Sequence, residues 1–256
     1  MLKDKLFQAG HSIIDILQAE ESDSIHRAAD LIATAVSQSK TVFLYDRGHL
    51  LGGELLCRAG GPVFMRRLDY FLPDPAMRNS NTGQREKRLQ AFQGPEKEQA
   101  IMAYEDIHTD YMMQCNNLGI GDVLIINSVS GKGHPATSIA RAAKKYGVSL
   151  IIISSLIAAQ SIEPEGGGQR LIDYANVFIN NHVPFGDAMF ELEGVDQKVC
   201  PASGLSAAFI GWAMVLESIE LTLAKGVSPT IFRSNNIPDG PEQLTASFAR
   251  YQELGY

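Results

Sequence analysis

The chain has 256 residues, 45% of them apolar and 20% charged, with a formal net charge of −7. That is enough apolar side chain for a sizeable core in one domain, and the acidic balance, with no basic stripe, leaves no electrostatic footprint for nucleic acid. Three widely spaced cysteines, Cys57, Cys115 and Cys200, form neither a disulfide framework nor a Cys/His metal pattern, as expected in a reducing cytoplasm.

From the start of the chain, Lys3, Asp4, Lys5, Gln8 and His11 interrupt the apolar residues, so no signal-peptide core develops. Leu6, Ile13, Ile14 and Leu17, then Ile25, Ala28, Ala29, Ile32 and Val36, recur at helical spacing. This predicts two helices over residues 1–39, with a capped break at Ser22-Asp23-Ser24. Thr41-Val42-Phe43-Leu44-Tyr45 reads as a strand, Arg47-Gly48-His49 as a loop, and the stretch up to Gly60-Gly61 as a helix. Residues 62–66 suit a second short strand, residues 72–94 a long polar loop, and residues 96–116 a helix carried by Ile101, Tyr104, Ile107, Tyr111 and Met112.

Asp122-Val123-Leu124-Ile125-Ile126 is the continuous apolar run of a parallel strand covered on both faces. It leads into Asn127-Ser128-Val129-Ser130-Gly131-Lys132-Gly133, then a helix from about Pro135 to Tyr146 that stops at Gly147. Residues 148–153 and 175–179 give two more buried strands, separated by the loop Glu165-Gly166-Gly167-Gly168. The apolar stretch at residues 202–216 is shorter than the roughly 20 residues of a bilayer span and is followed by Glu217 and Glu220, so a buried helix is expected and no membrane partner. Strands alternating with helices predict a parallel, doubly wound sheet whose ligands sit at the carboxyl ends of the strands. The expected organisation is one domain over residues 1–256: N-terminal helices (1–39), an αβα core (40–200), and a C-terminal helix and tail (201–256).

The segment from Ser128 to His134 brings together what an anion requires. Ser128 and Ser130 offer hydroxyl hydrogens, Gly131 and Gly133 let the main chain approach, Lys132 adds charge, and the following helix directs free N–H groups and its dipole toward the ligand. The same residues also suit an ordinary strand-to-helix turn.

Ser128-Val129-Ser130-Gly131 after an apolar strand, an Ala/Lys-rich helix closing at Gly147, and Ile151-Ile152-Ile153-Ser154-Ser155 together resemble the sugar-isomerase (SIS) domain signature. The resemblance runs from about Leu31 to Leu223 and is nearest a single-domain bacterial branch with an Asn-His-x-Pro-x-Gly-Asp-Ala segment, matched by Asn181 to Ala188. It implies a flavodoxin-like αβα sandwich with a parallel sheet and an N-terminal helical extension. It also implies phosphosugar binding through Gly48, Asn127, Ser128, Ser130, Gly131, Lys132, Gly133, His134 and Asp187, and often aldose–ketose isomerisation; no cofactor is expected, and the six histidines, dispersed without an i, i+4 pair or a His-x-His cluster, give no metal pattern, although some relatives do use zinc. Such proteins often complete their site with a neighbouring subunit, which points to a homodimer or homotetramer. The chain departs from the family in two places: Asp46-Arg47-Gly48-His49-Leu50 replaces the usual Gly-x-Gly-x-Ser, and Gly133 stands where many relatives carry Thr.

Isomerisation through an enediol needs a base beside a carbonyl and donors for the developing oxyanion. His49 follows the first strand at the ligand edge, Glu105 lies on a helix one turn from His108, and His182 follows the last predicted strand; these are the catalytic candidates. Each also has a plain structural role open to it, in a turn or on a solvated face. A phosphosugar lyase or etherase begins with a similar proton abstraction, and a non-catalytic phosphosugar sensor would need the same anion loop, so both stand as alternatives.

Overall fold

A computed structural model of the protein describes residues 1–47, 51–70 and 97–256. The expected loop at residues 72–94 falls outside the described residues, as do Gly48 and His49.

Five strands, β1 (Val42–Asp46), β2 (Met65–Arg67), β3 (Val123–Asn127), β4 (Ser149–Ser154) and β5 (Val177–Asn180), form one parallel sheet in the order β2-β1-β3-β4-β5. The period-two pattern of each strand splits the core into two layers. Val42, Leu44, Val123, Ile125, Ile151 and Ile153 face one side, where α1 (Leu2–Glu20), α2 (Ser22–Ser37), α3 (Leu51–Leu55) and α7 (Ser203–Ala224) pack. Phe43, Tyr45, Leu124, Ile126, Leu150 and Ile152 face the other, under α4 (Lys97–Cys115), α5 (His134–Lys145) and a 3-10 turn at Leu171–Tyr174. The sheet is therefore covered on both faces, which is why residues 123–126 of β3 and 150–153 of β4 are buried and uniformly apolar.

Of the two N-terminal helices, α2 is built into the sandwich through Ile25, Ala28, Ile32 and Val36, whereas Leu17 is the one buried residue of α1. The expected break between them is a continuous hydrogen-bonded junction at Glu21, whose N–H donates to Leu17 O (2.9 Å) and whose carbonyl accepts from Ile25 N (2.8 Å). Glu21 turns its side chain inward: Oε2 accepts the Asn180 N–H (3.2 Å) and Oε1 lies 2.9 Å from His182 Nε2.

Helix α7 is buried along one face by the rest of the chain. Its inner face packs closely on α3, where a Cβ at Gly211 would stand 2.5 Å from Leu51 Cδ1, and its small hydroxyls are satisfied by backbone carbonyls: Ser206 by Asn181 O and Thr222 by Ser218 O. By length and composition it could cross a membrane. Its outer face instead leaves Leu205, Phe209, Leu216 and Leu223 between 39% and 58% exposed. Beyond the expected elements, an antiparallel pair, β6 (Ala188–Phe190) with β7 (Val199–Pro201), precedes α7, α6 (Leu156–Ser161) follows β4, and α8 (Gly240–Leu254) occupies the expected tail.

Candidate functional site

The chain leaves β1 toward β2 on one side and returns to β3 on the other, so the carboxyl ends of β1 and β3 form the switch point at which ligands of such sheets bind. Asp46 and Asn127 end these two strands in register. The Asn127 amide donates to Asp46 Oδ1 (2.8 Å), the Gly52 N–H donates to Asp46 Oδ2 (2.8 Å), and the Arg47 N–H donates to Asn127 O (2.9 Å). These bonds fix the floor of the crevice.

The loop of residues 128–133 rises from this floor. The Ser128 N–H donates to Ile153 O (3.0 Å), and Ser155 N–H and Ser154 Oγ both donate to Val129 O, anchoring the loop to β4. Ser128 Oγ accepts the Gly131 N–H and Ser130 Oγ accepts the Lys132 N–H, each at 3.3 Å. Accepting leaves each hydroxyl hydrogen available, and among the described residues neither serine hydroxyl donates. Gly131 makes this turn possible: its φ is +61°, and a Cβ there would lie 2.6 Å from Leu171 Cβ.

Helix α5 starts at His134, with Gly133 as its N-cap. Its first N–H is already taken, because His134 N donates to Glu165 Oε2 (3.1 Å), while Glu165 N donates to Lys132 O (3.0 Å). The His134 ring is buried with Nε2 3.0 Å from Asp106 Oδ1, and Ser138 and Arg141 donate to the same carboxylate oxygen. His134 therefore braces α5 against α4.

Glu105, one residue before Asp106, is half-buried on this wall. Burial pushes its carboxyl above the usual range; the charge of the His134 ring pulls it down, Glu165 and Asp106 push it up further, and Arg47 pulls it down. A half-buried carboxyl with a raised pKa is a candidate acid/base group.

His182 and Asp187 lie beyond β5, with β4 between β5 and β3, and both side chains are engaged in holding elements together. His182 spans Glu21 and Asn180, with Nδ1 3.3 Å from Asn180 Nδ2. Asp187 accepts from Ala202 N (3.0 Å), Ser203 N (2.9 Å) and Ser203 Oγ (2.7 Å), capping the start of α7. Asn127 and the loop of residues 128–133 thus stand at the switch point, Glu105 lies on the α4 side near His134, Glu165 and Arg47, and His182 and Asp187 lie beyond β5. The structure adds Asp46, Arg47 and Glu165, which sequence reasoning named only as parts of loops and not as site residues. For Asp46 the signal was present, as a charged residue at the end of the first strand of a doubly wound sheet.

The parallel doubly wound sheet with a serine-and-glycine loop at its switch point is matched by a known family. A family model described as the SIS domain matches residues 6–155, and the chain belongs to that family. Among its relatives, the "UPF0309 protein in nagA 3'region" of Lysinibacillus sphaericus is 30% identical, over 90% of this chain and 89% of that one. A UPF0309 protein of Listeria monocytogenes is 27% identical, over 92% and 91%. Similar solved structures include phosphoheptose isomerases from Francisella tularensis (13% identity, 85% of this chain and 96% of that one, TM-score 0.48) and Neisseria gonorrhoeae (13%, 89% and 100%, TM-score 0.45).

Proposed function

We propose that the chain binds a phosphorylated sugar in the cytoplasm and interconverts its aldose and ketose forms through an enediol. The observation that carries this reading is the loop of residues 128–133, where two serine hydroxyls, neither of which donates a hydrogen bond among the described residues, stand beside permissive backbone at the switch point. Membership of the SIS family supports it. The phosphate sits against Ser128, Ser130 and the backbone of residues 131–133. Glu105 takes the proton from the carbon next to the carbonyl and returns it to the neighbouring carbon. The hydroxyl proton moves between the two oxygens through a second acid/base, a role assigned to His49, which lies outside the described residues. Arg47, close enough to Glu105 to lower its pKa, offsets the enediolate charge. The route moves protons only and requires no redox cofactor.

Calorimetric titration with a matched pair, a sugar phosphate and the same sugar unphosphorylated, tests the loop. The wild type should prefer the phosphate, and Ser130→Ala should erode the preference by the about 1.5–3 kcal/mol of a charge-assisted hydrogen bond. Equal affinity for both sugars in the wild type would remove the phosphate site.

The exposed stripe Leu205, Phe209, Leu216 and Leu223 on α7 is best covered by a second copy of the chain, giving a homodimer or homotetramer. Light scattering at micromolar concentration should return a multiple of 27.9 kDa. A monomeric mass would overturn this.

A further inference from the structure

Of the first three residues of α5, Pro135 has no N–H and the Ala136 N–H donates to Gly133 O (3.0 Å), which leaves the His134 N–H as the donor open to an anion. Glu165 holds it: Oε2 accepts the His134 N–H at 3.1 Å. A carboxylate supplied from 31 residues away thus stands at the helix start that follows the serine loop, in the position of a ligand's anionic oxygen.

The root of Glu165 is fixed and its tip is not. Its N–H donates to Lys132 O (3.0 Å), and the next residue, Gly166, lies so close to α4 that a Cβ there would stand 2.2 Å from Met102 Sδ. Glu165 itself is exposed, so rotation of the side chain carries the carboxylate into water while the main chain stays where it is. A group tethered in this way competes with any ligand for the same donor, at an effective concentration on the order of millimolar.

We propose that Glu165 is a specificity-determining residue of the anion loop: its carboxylate occupies the place of one ligand oxygen and yields it to a phosphate ester but not to a carboxylate. The proposal rests on the phosphate lying at the loop of residues 128–133. A sugar carboxylate brings the group that Glu165 already supplies, with the same charge, and gains nothing by the exchange. A phosphate ester carries about 1.5–2 negative charges at neutral pH and three terminal oxygens, enough to meet the His134 N–H and the Ser128 and Ser130 hydroxyls together. The cost of displacing Glu165 is then a fixed tax on every anion, and only the more strongly held one overcomes it.

The test is titration of the wild type, Glu165→Ala and Glu165→Gln with glucose 6-phosphate, glucuronate, glucose and inorganic phosphate, together with thermal unfolding. Glucose 6-phosphate and glucuronate share a ring and differ in carrying phosphate or carboxylate at the same end. The wild type should prefer glucose 6-phosphate and hold glucuronate no more tightly than glucose. Glu165→Ala should tighten glucose 6-phosphate and inorganic phosphate about 3- to 10-fold, leave glucose unchanged and hold glucuronate above glucose. Glu165→Gln keeps an oxygen that accepts the His134 N–H without the charge, so it should tighten phosphate less than Glu165→Ala does. The free Glu165→Ala protein should melt about 1–4 °C lower than the wild type, and saturating glucose 6-phosphate should narrow the gap, because the contact is already broken in the complex.

If all three proteins prefer glucose 6-phosphate at one affinity, or Glu165→Ala still excludes glucuronate, the loop reading stands and the role of Glu165 is overturned. Equal tightening in Glu165→Gln and Glu165→Ala, with no loss of stability in the free proteins, would show repulsion at a distance and overturn the displacement. If the wild type and both variants hold glucose as tightly as glucose 6-phosphate and leave inorganic phosphate unbound, the loop reading itself fails and this proposal falls with it.

Discussion

Replacing Glu105 by Gln should lower turnover of a sugar phosphate about 10²–10⁴-fold while leaving its phosphate-dependent binding in place. The amide keeps the size of the side chain and removes only its ability to accept a proton. Because an enediol forms by loss of a C–H proton, the step can be read without knowing the product: incubation in D2O exchanges that hydrogen, and proton NMR follows the loss of signal. The pH profile carries the same signature. The base works when ionised, so the rate falls as pH drops through its pKa. Burial and the Glu165 and Asp106 charges raise that pKa, which places the acid limb above the ordinary carboxylate range. Glu165→Gln removes one of the raising charges and should move the limb to lower pH. Exchange that persists unchanged in Glu105→Gln would show that another group is the base.

The central sheet was legible because its signals are local. The run from Val123 to Ile126 and the run from Leu150 to Ile153 are apolar at every position, as strands covered on both faces must be, and a glycine-bearing loop follows the first of them. Residues 128–133 were legible for the same reason. What escaped depends on partners far apart in sequence. His182 at a strand end looks like a site residue until Glu21, 161 positions earlier, is seen against its ring. Asp187 looks alike until it is found capping α7. Glu165 reaches the α5 start from 31 residues away, and nothing in the spacing of a glycine run announces that. On helix α7 the apolar run marked a buried helix but not which face the chain itself covers: Ser206, Ser218 and Thr222 occupy the inner face with their hydroxyls paired to carbonyls, leaving larger residues such as Phe209 outside. The β6–β7 pair consists of three-residue strands, too short for alternation to register.

Gly131→Ala should cost about 2–4 kcal/mol of stability and weaken sugar-phosphate binding more than Ser130→Ala does. Two effects add. At φ +61° an alanine pays for the left-handed region, which glycine occupies freely. Its methyl would also stand 2.6 Å from Leu171 Cβ and 3.1 Å from Leu171 Cδ2, and Leu171 is 1% exposed, packed in the core layer that contains α5. Leu171 cannot retreat without opening that layer, so the loop must move instead. Movement breaks the Gly131 N–H to Ser128 Oγ contact and turns both serine hydroxyls away from the crevice, which is why binding falls further than the loss of one hydroxyl explains. Gly133→Ala is the control two residues away: φ is −67° and the nearest atom to its added Cβ is Pro135 Cδ at 3.9 Å, so stability should stay within about 0.5 kcal/mol of the wild type. Urea unfolding of the two variants, with titration of each by glucose 6-phosphate and inorganic phosphate, reads both quantities. If Gly131→Ala is as stable as Gly133→Ala and binds as tightly, the loop does not depend on the turn described, and the placement of the two serine hydroxyls falls with it.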